Sequence, residues 1–313
     1  ALSKSMPYGT YTVHQVKGTE GFYFVDNFDV VISENGKTYQ FILNNEMMKS
    51  KIKIVKQDAE THKVIPVANV GFKIRNTDTS EYVTMHVNYP SDRDIDVFYT
   101  NGEGTVTLPE RLGYGNYELI EVSAPAGYIL NSNPIAFKAD GTDIVVTKED
   151  MPQKGKITIV KTGEVFTTVS QNGATYTPNY SVEGLKGTVF EVKAAEDIYT
   201  PDGTLRYTQG QIVDTVTTNS NGIATTKALY LGKYTITEKS VTPGYLIDNT
   251  VYGVELKYAG ETASATAANL NVKNERQKVR IDLSKIMEED TLFNIGKNHE
   301  IMKVKFGLYA AED

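Results

Sequence analysis

The sequence predicts an all-β chain built of tandem antiparallel β-sandwiches that follow one another as an extended rod. Val, Ile, Thr and 20 Tyr fill short alternating segments, and 25 Gly recur in the turns between them, whereas Trp and Cys are absent. Turn dipeptides such as Asn101-Gly102, Asp202-Gly203 and Asn221-Gly222 separate these segments. This combination is typical of short strands joined by tight turns.

Three sequence elements recur in a constant order and define repeats. The first element ends in a lysine and occupies 52–56, 157–161 and 281–285. The second element begins with Tyr and ends at Gln15, Glu121 or Glu238. The third element closes each repeat at Asn45, Asp150 or Asn274. Repetition at intervals of about a hundred residues, the size of a small domain, indicates a tandem array.

These intervals divide the chain into two complete repeats and two partial ones. Residues 51–152 and 153–277 each hold all three elements. Residues 1–50 hold only the second and third elements of a preceding repeat, and residues 278–313 hold only the beginning of a following repeat. The linkers are short, as at 151–155, so neighbouring repeats are expected to lie end to end with limited freedom.

Strand periodicity places the repeated polar residues on inward faces. Residues two apart share a face of a strand, so Lys56 shares the face of Ile52 and Ile54. The same rule turns the following residues inward: Glu121 and Asp150 in the first complete repeat, and Lys161, Glu238 and Asn274 in the second. Each complete repeat is therefore expected to bury a Lys, a Glu and an Asp or Asn.

Buried ionisable groups of this kind need partners or a reaction, because a lone buried charge is very costly. The available reaction is amide formation between the Lys amine and the Asp carboxyl or Asn carboxamide, which releases water or ammonia. An apolar core favours a neutral Lys and a protonated Glu, and the Glu can then act as general acid and base. This is single-turnover self-crosslinking, so no turnover enzyme and no cofactor are expected.

The same residues resemble a known family. Ile-x-Ile-Val-Lys, Tyr-x-x-x-Glu followed by Ala-Pro-Ala-Gly-Tyr, and Asp150 before Pro-Gln-Lys-Gly are similar to the Cna B-type, or SpaA-like, repeat domains of Gram-positive adhesins and pilins. The resemblance spans essentially the whole chain. It implies prealbumin-like, or reverse-immunoglobulin, β-sandwiches, many of which carry an intramolecular isopeptide bond. By position, it implies one Lys56–Asp150 bond promoted by Glu121 and one Lys161–Asn274 bond promoted by Glu238.

Two departures from the family pattern matter. Gln15 stands where the leading repeat should have its Glu, and a carboxamide cannot shuttle protons, so no bond to Asn45 is expected. Lys285 is expected to remain a free amine, and an exchange that brings Lys285 of one chain to Asn45 of another is a less favoured alternative.

Lys148 stands two residues before Asp150, where the second repeat has Val272. This difference predicts that the last strand of the first repeat bulges or ends early.

The resemblance implies a structural stalk segment of an extracellular, cell-wall-anchored surface adhesin. The chain is expected to be a fragment that contains neither the signal peptide nor the sorting motif. A host matrix- or glycan-binding module remains an alternative, with loops 77–100 and 197–212 as the recognition elements. A pilin shaft segment is a third possibility. The net charge of -7 gives no reason to bind nucleic acid. The sequence contains no run of 18 apolar residues, so no membrane insertion is predicted.

One acidic loop contains several potential oxygen ligands for a metal ion. Its members are Ser91, Asp92, Asp94 and Asp96. These oxygen ligands could contact calcium, but no closing Glu follows them, so a solvated loop is the favoured interpretation and no metal is expected.

Overall fold

Nearly all regular structure in a computed structural model of the chain is β-strand, and the described residues are 3–173, 175–296 and 300–307. The all-β prediction is confirmed. The described residues form two compact units, one that ends at Glu275 and one that begins at Arg276. Within these ranges, no helix has both the length and the apolar character that crossing a membrane requires.

The leading segment contributes one small antiparallel hairpin, β1 (Gly9–Val13) and β2 (Phe28–Ile32). Phe22, between the two strands, pairs with Met47, beyond β2, in an isolated bridge. The first complete repeat has a bridge of the same kind between Tyr128 and Pro152. The leading segment therefore contains local structure that also occurs near the end of the first complete repeat.

The first sandwich is formed by eleven strands. They are β3 (Lys49–Ser50), β4 (Ile52–Asp58), β5 (Gly71–Asn76), β6 (Met85–Val87), β7 (Arg93–Ile95), β8 (Phe98–Tyr99), β9 (Thr105–Thr107), β10 (Leu112–Gly113), β11 (Gly115–Ser123), β12 (Ile135–Ala139) and β13 (Ile144–Asp150). One sheet has the order β12-β11-β5-β8 and the other the order β13-β4-β9. Between the sheets lies an apolar core that includes Ile52, Ile54, Phe72, Leu119 and Val146.

The first and last strands of this sandwich run side by side and parallel. The β4–β13 ladder runs from Ile144 opposite Ile52 to Asp150 opposite Asp58 without a register shift. The prediction of a bulge or early end at Lys148 is therefore wrong. The sandwich is therefore also not purely antiparallel. The chain between its first and last strands runs through the whole domain, which supplies the long connection that parallel neighbours need.

The second sandwich repeats this plan. Its strands are β14 (Lys154–Asn172), β15 (Thr175–Gly184), β16 (Val189–Ala194), β17 (Ile198–Tyr199), β18 (Leu205–Tyr207), β19 (Ile212–Thr217), β20 (Ile223–Thr225), β21 (Leu229–Tyr230), β22 (Gly232–Ser240), β23 (Tyr252–Leu256) and β24 (Ala265–Asn274). One sheet has the order β19-β16-β22-β23, and the other groups β15, β20, β21 and β24 around β14. Again the first and last strands are parallel, with Lys161 opposite Val272 and Gly163 opposite Asn274.

The second sandwich also carries an extension that the repeat pattern did not reveal. β14 continues past the end of β24 and pairs with β15 as a hairpin from Thr162 opposite Gly184 to Asn172 opposite Thr175. A register irregularity lies between Phe166 and Thr168. This insertion lengthens the second repeat relative to the first.

The unit from Arg276 onward differs from its sequence expectation. The described part contains a 3-10 helix, Glu300–Lys303, and an isolated bridge between Asp290 and Ile295. Residues 281–285, the predicted beginning of a following repeat, belong to no strand, because no neighbouring strand pairs with their backbone groups. Residues 297–299 and 308–313 of this predicted repeat lie outside the described residues.

Candidate functional site: two buried lysine clusters

The structure brings together the three polar residues predicted for the first sandwich. Lys56 lies on β4, Glu121 on β11 and Asp150 on β13, and each is at most 1% exposed. Strand alternation accounts for this, because buried and less buried residues alternate along all three strands. We call Lys56, Glu121 and Asp150 the first cluster.

Direct contacts join the amine of the first cluster to both carboxyl groups. Lys56 Nζ lies 2.8 Å from Glu121 Oε1 and 2.5 Å from Asp150 Oδ1. These are ion-pair distances, yet Lys56 Nζ and all four carboxyl oxygens lack a hydrogen bond of normal angle. The amine is thus held against the carboxyl group that it would attack, with no directional hydrogen bond that fixes it in another orientation.

Burial changes the proton affinity of Glu121. It raises the pKa of the Glu121 carboxyl to about 8, because the charged form loses its hydration; nearby Lys56 partly opposes this shift and Asp150 reinforces it. Glu121 is therefore mostly protonated at neutral pH. A protonated carboxyl group can donate a hydrogen bond to an acceptor carbonyl and can also transfer a proton.

Lys148 is a fourth buried ionisable residue in this region. From the sequence it was predicted only to mark a bulge or an early end of the last strand. It is 1% exposed and lies directly opposite Lys56 in the β4–β13 ladder. Its Nζ donates a hydrogen bond of 2.5 Å to the backbone carbonyl of Asn133. Burial lowers the pKa of the Lys148 amine, Glu121 and Asp150 act in the opposite direction, and Lys56 adds to the lowering.

The residues predicted for the second sandwich also meet, and they form a closed set of hydrogen bonds. Lys161 Nζ donates to Glu238 Oε2 at 3.0 Å and also to Asn274 Oδ1. Asn274 Nδ2 donates to Glu238 Oε1 at 2.7 Å. Burial lowers the pKa of the Lys161 amine, although its hydrogen bond to Glu238 opposes the shift. We call Lys161, Glu238 and Asn274 the second cluster.

The leading segment reproduces part of such a cluster. Asn45 Nδ2 donates to Gln15 Oε1 at 2.8 Å and to the Tyr23 carbonyl at 2.7 Å. Gln15 and Asn45 line a shallow pocket of about 160 Å³, and the residues around that pocket include no lysine. Lys285, the predicted donor of the following repeat, is exposed in the unit that begins at Arg276. The structure therefore shows the Gln15–Asn45 pair without an amine.

Contacts between the two sandwiches were not foreseen from the sequence. Arg206 lies on β18, within loop 197–212, and its guanidinium donates to Asp58 Oδ2 at 2.8 Å and to Glu60 Oε2 at 3.0 Å. Asp58 is fully buried and also accepts a 2.9 Å hydrogen bond from the Tyr128 hydroxyl. We call Asp58, Glu60 and Arg206 the joint.

Further hydrogen bonds tie the joint together. Lys154 Nζ and the Tyr230 hydroxyl both donate to the Glu60 carboxylate at 2.6 Å. Burial and the hydrogen bond to Glu60 raise the pKa of Tyr230 to about 12. In the linker, the Gln153 amide donates to the carbonyls of Gly260 and Ala263. The strand alternation that turns Lys56 inward also predicts an inward side chain at Asp58, two residues later. Nothing in the repeat pattern marked Arg206.

The carboxylates of the acidic loop in the first sandwich contact basic side chains. His86 contacts Asp92 at 2.8 Å and Asp94 at 2.9 Å, and Lys73 contacts Asp96 at 2.8 Å. Across the part of the chain that the structure describes, no group of three or more His, Cys, Asp and Glu side chains is arranged to hold a metal ion.

The architecture defines a tandem array of prealbumin-like sandwiches, and comparison with known families identifies it more closely. A family model described as SpaA, a prealbumin-like fold domain, matches residues 50–152 and 177–271. These segments cover more than half of the chain, so the chain belongs to the SpaA prealbumin-like fold domain family. The resemblance inferred from the sequence elements is confirmed.

Several solved structures are similar to this chain. The Bacillus anthracis TIE protein is 23% identical with a TM-score of 0.50, over 86% of this chain and 42% of that one. A minor pilin of Streptococcus agalactiae is 18% identical over 75% and 100% of the two chains, with a TM-score of 0.28. The C-terminal fragment of pilus adhesin SpaC from Lactobacillus rhamnosus GG is 13% identical over 74% and 99%, with a TM-score of 0.37. None of the curated proteins matches this chain significantly.

Proposed function

We propose that the chain is a structural stalk segment of a Gram-positive, cell-wall-anchored surface adhesin, braced by two self-formed isopeptide bonds. The observation that carries the proposal is the pair of buried clusters, each of which links the first and last strands of its sandwich. On this interpretation 51–152 and 153–277 are the complete domains, and 1–50 and 278–313 are parts of flanking repeats.

The two bonds form by related but different reactions. In the first cluster, the neutral Lys56 amine attacks the Asp150 carboxyl carbon; a C–N bond forms, a C–O bond breaks, and water leaves. In the second cluster, the Lys161 amine attacks the Asn274 carboxamide, and ammonia leaves when the C–N bond of the side-chain amide breaks. Close packing of donor and acceptor supplies the proximity that an uncatalysed amide formation lacks.

Glu121 and Glu238 carry protons between the amine and the leaving group. The raised pKa of Glu121 supports this role, because a protonated carboxyl can polarise the acceptor carbonyl. In the second cluster, Glu238 contacts both the donor amine and the Asn274 amide nitrogen, which is the group that must leave. Gln15 lacks this ability, so Asn45 forms no such bond.

The joint favours a stalk over a recognition module at one of the two candidate loops. Loop 197–212 is engaged with the first sandwich through Arg206, so its contacts serve to hold neighbouring repeats together. Loop 77–100 forms the β6–β7 hairpin, with Tyr89 88% exposed. Binding of a host matrix protein or glycan there stays a prediction, as does a role in a pilin shaft.

The intact mass of the purified, denatured chain tests the proposal. One bond of each kind removes about 18 Da as water and about 17 Da as ammonia, so the chain should be about 35 Da lighter than its sequence mass. Peptide mapping should then identify the Lys56–Asp150 and Lys161–Asn274 linkages. A chain of full sequence mass would overturn the bracing and favour a plain tandem module.

A further inference from the structure

Lys148 is a buried lysine that the crosslinking reactions above do not use. It lies on the inward face of β13 together with Val146 and Asp150, and it is the lateral neighbour of Lys56 on β4. In the second sandwich, the residue opposite Lys161 in the equivalent ladder is Val272, an apolar side chain. The two sandwiches therefore differ at this position by one potential positive charge.

The acceptors of the two clusters differ by one potential negative charge. Asp150 is a carboxyl group, whereas Asn274 is a neutral carboxamide. With Lys148 included, the first cluster holds two amines and two carboxyl groups; the second cluster holds one of each, Lys161 and Glu238. Both sets are balanced, and buried charges are tolerated only when they are balanced in this way.

We propose that Lys148 is a positioning residue that balances the charge of the Asp150 carboxyl, and so allows an aspartate to serve as the acceptor where the second sandwich uses an asparagine. This inference rests on the proposed function, since it concerns the Lys56–Asp150 bond. Lys148 does not contact the reacting atoms; its Nζ is held by the Asn133 carbonyl.

The charge balance matters most in the state that reacts. Attack requires a neutral Lys56 amine and an uncharged Asp150 carboxyl, so that the C–N bond can form while water leaves. Glu121 and Lys148 then remain, either as an ion pair or as two neutral groups that share one proton. In both forms the buried set stays neutral, and no proton has to be taken from or given to the solvent.

The groups that act on Lys148 are known from its surroundings. Glu121 acts from β11, Lys56 from β4 and Asp150 from its own strand. Without Lys148, one amine would face two carboxyl groups, and folding would then require the uptake of a proton. A process that takes up a proton becomes less favourable as pH rises. Without the Asp150 carboxyl, two amines would face one carboxyl group, and the dependence on pH would have the opposite sign.

A cycle of full-length variants tests this inference. The variants are Lys148→Met, which keeps most of the length of the side chain without its charge, Asp150→Asn, which supplies the acceptor of the second sandwich, and the double variant. Unreacted chain, isolated in denaturant and verified by its full mass, is diluted into buffers from pH 5 to pH 8. The formation of each crosslink is followed by peptide mapping, and the Lys161–Asn274 bond in the same molecules reports that the rest of the chain folds.

Relative to the wild-type chain, the Lys56–Asp150 bond in the Lys148→Met variant should form about tenfold more slowly for each unit of rising pH. The Asp150→Asn variant should show the opposite trend, and the double variant should recover most of the rate and lose both trends. A purely structural role for Lys148 would not make the second substitution correct the first.

Two outcomes would overturn the inference alone: a Lys148→Met variant with the wild-type rate and pH dependence, or a double variant as slow as the slower single variant. If the wild-type chain forms the Lys161–Asn274 bond but no Lys56–Asp150 bond, the proposed function of the first cluster fails as well. These results are distinguishable, because the two bonds are mapped separately in the same molecules.

Discussion

The two buried clusters occupy equivalent places in their sandwiches but are held together differently. Hydrogen bonds connect all three members of the second cluster, because the Asn274 carboxamide accepts from Lys161 and donates to Glu238. In the first cluster the amine and the carboxyl oxygens are in contact without hydrogen bonds of normal angle, and a second lysine is buried beside them. The acceptor decides this difference, since a carboxamide has its own donor whereas an ionised carboxylate has none.

One fold can thus align a lysine with either acceptor, provided that the surrounding charges are adjusted. The parallel ladders supply the alignment, with Lys56 and Lys161 two residues before the positions opposite Asp150 and Asn274. The adjustment is made on the last strand, two residues before the acceptor. Experiments that alter one sandwich while the other serves as reference can therefore separate alignment from charge.

The largest expected effect comes from Glu121→Gln and Glu238→Gln, made separately. Each change keeps the size of the side chain but removes the proton shuttle, so the bond in that sandwich should fail. A crosslink that closes a loop of about a hundred residues stabilises by about 4–5 kcal/mol in the chain-entropy picture. The altered sandwich should therefore melt about 15–30 °C lower in calorimetry, given the usual response of a domain of this size.

The unaltered sandwich is the control for each of these variants. Mass spectrometry should show the loss of about 17 Da alone in the Glu121→Gln chain and of about 18 Da alone in the Glu238→Gln chain. A variant that retains the bond in its altered sandwich would refute the role given to that glutamate. A variant that loses the bond but melts at the parent temperature would refute the bracing.

Much of both clusters could be predicted from the sequence, because strand alternation is a local property. The spacing of Ile52, Ile54 and Lys56 was enough to turn the lysine inward, and its burial is confirmed. The parallel pairing of β4 with β13 was not predicted, since it depends on how the chain crosses between two sheets. Lys148 was interpreted as a strand irregularity because a charge at an inward position normally argues against burial.

The ion pairs of the joint could not be predicted from the repeats. They join Arg206 to Asp58 and Glu60 across 148 and 146 residues of sequence, respectively. No periodicity connects positions so far apart, and their contact exists only because the two sandwiches pack together. Loop 197–212 was consequently considered for ligand recognition, whereas the structure places its arginine against the first sandwich.

The joint also distinguishes the two sandwiches, because its fully buried carboxylate lies on β4, the first strand of the first sandwich. Asp58 follows Lys56 by two residues on β4, whereas the equivalent position on β14 is Gly163. Arg206→Ala should leave the Asp58 carboxylate buried without its cation and lower the stability of the first sandwich by about 2–4 kcal/mol. Urea unfolding, monitored by proteolysis at sites in each sandwich, measures the stability of the first and second sandwiches separately.

A matched control for this variant is Arg111→Ala. Arg111 makes a 3.1 Å ion pair with Asp143, but both side chains are more than half exposed. Such a pair contributes at most about 1 kcal/mol, so its removal should hardly change the stability of the first sandwich. Equal effects of the two substitutions would show that burial of the joint does not make its ion pairs important.

The smallest expected effect is a pH limit that belongs to the first cluster. The pKa of Glu121 is raised to about 8, so its carboxyl is mostly protonated below that pH and increasingly ionised above it. If the protonated form promotes the reaction, the rate of Lys56–Asp150 bond formation should be unchanged up to about pH 7, fall to about half near pH 8 and be about tenfold below its plateau at pH 9. The rate is measured by peptide mapping after dilution of unreacted chain from denaturant. Both bonds slowing in parallel would assign the limit to folding; slowing of the first bond alone assigns it to Glu121, because burial beside Asp150 gives that carboxyl its unusual proton affinity.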